Sequence, residues 1–128
     1  MPLLLDTHAF LWWLDGDPKL TSRVKSAISA DPRKVFVSGA SAWEISTKAR
    51  LGKLPDALDV AADVAGCIAR EDFRPLAVTV EHSQRAGALP GLVRDPFDRM
   101  LIAQAMLDGL HLVSIERAFD AYGVLRLW

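Results

Sequence analysis

Four acidic side chains stand where a small protein could assemble a metal site. Asp6 follows Leu3-Leu4-Leu5, Glu44 follows Val35-Phe36-Val37, Asp98 lies just behind Pro96, and Glu116 follows His111-Leu112-Val113-Ser114. Taken singly, an acid at a helix start needs no chemistry to explain it, because unpaired amides and the helix dipole favour an anion there. Four such acids gathered at one edge of a sheet are a different matter, since like charges at short range repel unless a cation is present. Carboxylate oxygens are hard ligands, and the cation that suits them is magnesium or manganese. A divalent ion in that position generates hydroxide from water and stabilises the attacking and leaving oxygens of an in-line displacement, which is the chemistry of phosphodiester hydrolysis.

Other chemistries find little support. His8, His82 and His111 are scattered, with no zinc-like spacing, and each reads as a packed or surface residue. Cys67 is the only cysteine, so there is no disulfide framework; it reads as a small buried apolar residue, and an intracellular compartment fits. No glycine-rich phosphate loop and no nucleophile triad is present.

The elements that must position the acids are short and apolar. Leu3–Leu5, Val35–Val37, Arg74–Ala77, His111–Ser114 and Val124–Leu127 read as strands. Asp6 or Thr7 can cap a first helix carrying Phe10, Leu11 and Leu14, and Thr21 or Ser22 a second carrying Val24, Ala27 and Ile28. Ser38-Gly39-Ala40-Ser41 leads into a helix that places Glu44 in its first turn and stops near Gly52. A long Ala/Val helix is expected from Pro55 to about Asp72, and Thr79 with His82 and Ser83 starts another. Pro96 opens a helix through Leu107 with Asp98 at its start, and Glu116 to Tyr122 forms a short one. Continuous apolar strands alternating with helices indicate a three-layer α/β/α fold, a short-stranded parallel sheet covered on both faces. Its carboxyl edge, where open α/β proteins place their ligands, collects the acids.

The chain has 128 residues, 51% of them hydrophobic and 24% charged, which fits one domain over residues 1–128 with a real core and excludes disorder. A formal net charge of -1 leaves any contact with nucleic acid to local basic side chains. The apolar stretch from Met1 to Leu14 has no basic leader and is broken by Asp6 and His8, so it reads as neither signal peptide nor membrane span.

The segments Leu5-Asp6-Thr7-His8, Ala42-Trp43-Glu44-Ile45, Arg94-Asp95-Pro96-Phe97-Asp98-Arg99 and Ser114-Ile115-Glu116 together resemble the PIN-domain family, in particular VapC-type toxins of bacterial toxin-antitoxin pairs. The resemblance runs from Leu3 to Tyr122-Gly123. It implies a cytoplasmic endoribonuclease dependent on magnesium or manganese, cutting RNA, forming homodimers, and inhibited by a VapB-type antitoxin whose C-terminal segment enters the active-site groove. By motif match, Asp6 corresponds to the first metal-binding aspartate, Glu44 to the acid of the second motif and Asp98 to the third. Glu116 stands where the family usually has Asp, one methylene longer, with Asp120 as the fallback. Asp95 ranks below Asp98, because Asp95-Pro96 also makes a good helix cap. Val93 stands where many relatives carry His, which argues against an essential imidazole there. Thr7 matches a position whose hydroxyl often orients the metal shell, a role that competes with helix capping.

Among basic residues, Lys48 lies four positions after Glu44 on the same helix face, placed either to pair with that acid or to meet a scissile phosphate. Arg99, Arg50 and Lys53 are candidate RNA-backbone contacts. Trp43, set among apolar residues, reads as core. Trp12 and Trp13 cannot share one helix face, so at least one is expected at a dimer or antitoxin contact. Two rival functions share these residues: a metal-dependent DNA nuclease, and a catalytically inactive PIN-like module that binds RNA or protein.

Overall fold

A computed structural model describes residues 1–128. Five short strands, β1 (Leu3–Leu5), β2 (Val35–Ser38), β3 (Arg74–Leu76), β4 (His111–Val113) and β5 (Arg126–Leu127), form a sheet in the order β3-β2-β1-β4-β5. All four pairings are parallel, and Leu5 at the centre faces Val37 on one side and Val113 on the other. The helices are α1 (Thr7–Asp15), α2 (Ser22–Ala30), α3 (Gly39–Arg50), α4 (Leu58–Ala62), α5 (Val64–Arg70), α6 (Val80–Ala88) and α7 (Pro96–Asp108). Single 3-10 turns occupy Pro32–Lys34 and Pro55–Ala57, and a six-residue 3-10 helix Arg117–Tyr122.

Alternate residues of a strand point to opposite faces, and each face has its own apolar layer. Leu3, Leu5, Val35 and Val37 pack with Phe10, Val24, Ile28, Ile45 and Ile68, which brings α1, α2, α3 and α5 onto one side. Leu4 and Leu112 pack with Ala86, Leu101, Ile102 and Phe119, which places α6, α7 and the Arg117–Tyr122 turn on the other. Burial on both faces explains why the strands read as continuous apolar runs, and the three-layer α/β/α arrangement is as expected.

Side chains mark the helix starts. Asp6, Thr21, Ser38 and Thr79 each have an extended backbone and accept a hydrogen bond from an amide in the first turn of α1, α2, α3 and α6. At α7 the cap is Asp95, whose Oδ1 accepts from the Phe97 and Asp98 amides, with Pro96 in the first helical position. At the sheet's outer edge β3 carries Pro75 opposite Val37. Proline fits there because the amide it lacks would have faced outward.

Several local expectations are corrected. The long helix from Pro55 to Asp72 is instead a 3-10 turn and two short helices, broken at Asp63, whose backbone leaves the helical region and whose carboxylate caps α5 at the Gly66 amide. The last strand, expected from Val124, is only two residues long, whereas the short helix expected after Glu116 is present as a 3-10 helix. Glu44 is not in the first turn of its helix: α3 begins at Gly39, which puts the acid a turn deeper.

Candidate active site

Asp6 follows the central strand and is 4% exposed. Its Oδ1 accepts from the Ala9 amide at 2.8 Å, while its own amide donates to the Val113 carbonyl at 3.0 Å. Burial raises its pKa; hydrogen bonds from Ser114 and Ala9 and the nearby His8 act the other way, and the charge of Glu116 adds to the rise. Asp6 is thus both a helix cap and an acid kept short of water.

Glu44, 3% exposed, reaches the same edge from α3. The Thr7 hydroxyl donates to its Oε1 at 2.6 Å and lies 3.0 Å from Ser41 Oγ. Lys48, one turn on, donates to Oε2 at 2.5 Å. Burial works against the charge on Lys48, but the Glu44 carboxylate, with Asp95 and Asp98 beyond it, outweighs burial and holds the ammonium above its usual value. Thr7 therefore does not cap α1, which Asp6 does, but fixes an acid from another helix. Lys48 takes the ion-pairing role of its two alternatives.

Asp98, half-buried in the first turn of α7, has its pKa raised to about 7. Burial is the largest cause, followed by the charges of Asp95, Glu44, Asp6 and Glu116. Asp98 therefore feels every other candidate acid. Helix α7 runs back along the sheet before β4, so its N-terminus meets the loops that follow β1, β2 and β4. Asp98, Asp95 and Glu116 line a cleft of about 480 Å³ with Arg94, the segment Gly91–Val93 and Tyr122. Glu116 is exposed, its amide held by Ser114 Oγ at 3.0 Å. Asp120 is not brought in: its carboxylate grips Arg126 at 2.8 and 3.1 Å, and that pairing holds its pKa below the usual range.

The donor set suits a hard divalent ion. All of the acids offer oxygens, and the repulsion that adds to burial in lifting Asp98 is what a cation would relieve. As the side chains stand, however, no three Asp, Glu, His or Cys groups close on a common point, and both Glu44 oxygens are engaged by Thr7 and Lys48. The acids share an electrostatic field, not a closed cage.

Other sequence expectations meet their partners here. Arg99 is not free for RNA, because its guanidinium donates to the carbonyls of Ala86, Gly87, Leu89 and Val93. Trp43 is not core: it is 65% exposed and meets Phe97 edge-on, with ring centroids 5.0 Å apart. Trp13 Nε1 donates to Glu71 Oε1 at 2.7 Å, whereas Trp12 lies between His8 and Trp128 near the surface. His82 is buried, accepts the Thr79 amide on Nδ1 and sits 3.1 Å from Asp108, which makes it a packed capping residue. Cys67 is buried, as expected.

The parallel sheet carries acids from separate elements at its carboxyl edge, and residues 3–125 match the PIN domain. The chain belongs to the PIN-domain family. No curated protein is similar enough in sequence to count as a relative. Among solved structures, DNA-bound VapBC from Salmonella typhimurium aligns at 20% identity and a TM-score of 0.74, covering 100% of this chain and 97% of that one. VapBC2 from Rickettsia felis, bound to a promoter DNA fragment, aligns at 13% identity and 0.71, covering 99% and 98%. A toxin-antitoxin complex from Klebsiella pneumoniae aligns at 17% identity and 0.55, covering 91% and 89%. At these identities the likeness is one of fold.

Proposed function

We propose that this single PIN domain, residues 1–128, is a magnesium- or manganese-dependent endoribonuclease and the toxin of a toxin-antitoxin pair. The observation that carries the reading is the gathering of Asp6, Glu44, Asp98 and Glu116 at one sheet edge, where burial first and then the charges of Asp95, Glu44, Asp6 and Glu116 raise Asp98 to about 7. Asp6 and Asp98 would hold the metal, with Glu116 at the cleft rim. A bound divalent ion supplies an activated water and stabilises the charge on the phosphate oxygens. Thr7 and Lys48 orient Glu44 and offset part of its charge, so that an anionic backbone can approach. Arg94 is the one basic side chain on the cleft wall and suits a phosphate oxygen.

Two surfaces support the partners. A groove of about 510 Å³ between α3, α6 and α7 is lined by Trp43, Val78, Phe97 and Met100, and its one charged residue, Arg99, is already committed to carbonyls. So apolar a face fits a second copy of the chain. A second groove beside α1 has Leu11, Trp12, Leu14 and Val60 within a rim of Asp15, Asp17, Asp56 and Asp59, with Lys53 its one cation. That mainly acidic pattern suits an apolar segment flanked by basic residues, which we assign to a part of the antitoxin outside the C-terminal segment that enters the active-site groove.

The deciding experiment is cleavage by the purified protein of single-stranded RNA and of single-stranded DNA, with 5' ends mapped. RNA cleavage that needs magnesium or manganese, stops with EDTA and is lost in Asp6→Asn and Asp98→Asn is expected. Cleavage of DNA alone would transfer the activity to the deoxy substrate. Binding without cleavage would make the protein a recognition module.

A further inference from the structure

The cleft wall that carries Arg94 and Asp95 is not a free loop. Helix α6 ends at Ala88 without a left-handed glycine cap, Leu89 instead being extended, so its last carbonyls are left without the usual partners. Arg99 supplies them from α7. Its Nε donates to the Ala86 carbonyl at 3.0 Å and its Nη2 reaches those of Gly87 and Leu89, while Nη1 donates to the Val93 carbonyl at 2.8 Å. From the other side, the Val93 amide donates to the Tyr122 hydroxyl at 3.1 Å. Both backbone polar groups of Val93 are thereby fixed, one to the helix bearing Asp98 and one to the turn that follows Glu116.

Gly91 sits beneath the same phenol. Its φ is +93°, and a Cβ there would come within 2.7 Å of the Tyr122 hydroxyl, so the loop crosses the tyrosine where only glycine fits. The residue after Val93 is Arg94, exposed and without an ion-pair or hydrogen-bond partner of its own although Asp95, Asp98 and Glu116 line the same cleft. A cation held beside acids but not consumed by them is placed for a third, mobile anion.

We propose that Arg99 and Tyr122 are positioning residues that hold the 89–95 wall so that Arg94 meets a phosphodiester of the substrate. This rests on the RNA-cleavage reading, and the test separates the two. Tyr122→Phe keeps the ring over Gly91 and deletes only the acceptor for the Val93 amide. In the full chain it should speed hydrogen exchange at that amide about tenfold, the scale of one lost hydrogen bond. Measured with one RNA oligonucleotide, KM should rise in Arg94→Ala and in Tyr122→Phe with kcat less affected, and the double variant should be no worse than Arg94→Ala alone. Arg99→Lys, which keeps the charge and loses the fork, should behave like Tyr122→Phe. Unchanged exchange at Val93 would overturn the pinning. Additive KM effects would overturn its service to Arg94. Should the wild type cleave no RNA, the link to substrate falls with that reading, and exchange at Val93 alone decides the pinning.

Discussion

The hydroxyl of Thr7 donates to Glu44 Oε1 at 2.6 Å, tying the first turn of α1 to α3 across a sequence separation of 37. Both groups are buried, so this bond is not exchanged for one to water when it is lost. Thr7→Val, nearly isosteric, should cost about 1–3 kcal/mol and sharply reduce activity, while Thr7→Ser should recover most of both. Urea unfolding followed by tryptophan fluorescence, alongside the cleavage assay, checks this; a Thr7→Val protein of undiminished stability would show the bond to be dispensable.

Lys48 is the other half of the support. Lys48→Met leaves a buried carboxylate facing an apolar side chain and should destabilise by about 2 kcal/mol, below the cost at a fully buried pair because Lys48 is partly exposed. Adding Glu44→Gln should restore stability but not activity. A double variant no more stable than Lys48→Met would mean that Lys48 acts by packing.

Asp98 gives the protein a pH dependence of defined sign. Its pKa is about 7 in the native state, above its value in the unfolded chain, so between about pH 4 and pH 7 the native state holds the proton more tightly. This acid's contribution therefore falls as pH rises through that window, and its full penalty is present above it. Asp98→Asn, which mimics the protonated form, should gain stability relative to the wild type as pH goes from 4 to 8 in metal-free buffer. A constant difference across that range would contradict the shift.

Divalent metal should reverse the penalty. Magnesium or manganese is expected to raise the melting temperature of the wild type more at pH 8 than at pH 5, since binding needs the ionised acids and relieves their repulsion. In Asp6→Asn and Asp98→Asn the increment should shrink or vanish. Equal increments in wild type and variants would place any bound ion elsewhere.

The apolar groove around Trp43 predicts self-association. Trp43→Asp should turn a dimer into a folded monomer, read by light scattering and by unchanged circular dichroism. A wild type that stays monomeric at high concentration would remove the homodimer.

Much of this was legible in the chain. Leu3–Leu5 and Val35–Val37 announce buried parallel strands because both faces of the sheet are covered, and Asp6 and Asp95-Pro96 announce helix starts because caps are local. What escaped depends on contacts distant in sequence. Nothing near Arg99 says that its acceptors lie on α6, and Thr7 looks like a cap until α3 is set beside it. Trp43 misled because an apolar helical position that is exposed has the same sequence pattern as one facing a core. The run 55–72 misled because its composition favours one helix, whereas Asp63 spends its side chain on the Gly66 amide and restarts the turn.

Pro75 on β3 has a consequence at a larger scale. An outer strand normally offers its backbone as a template on which a foreign strand can zip, the route by which sheets grow into fibrils. Here one outer rail lacks a donor in its middle residue, and the opposite rail, β5, is only two residues long. Both margins are thus poor templates for backbone pairing, which guards the sheet against indiscriminate growth.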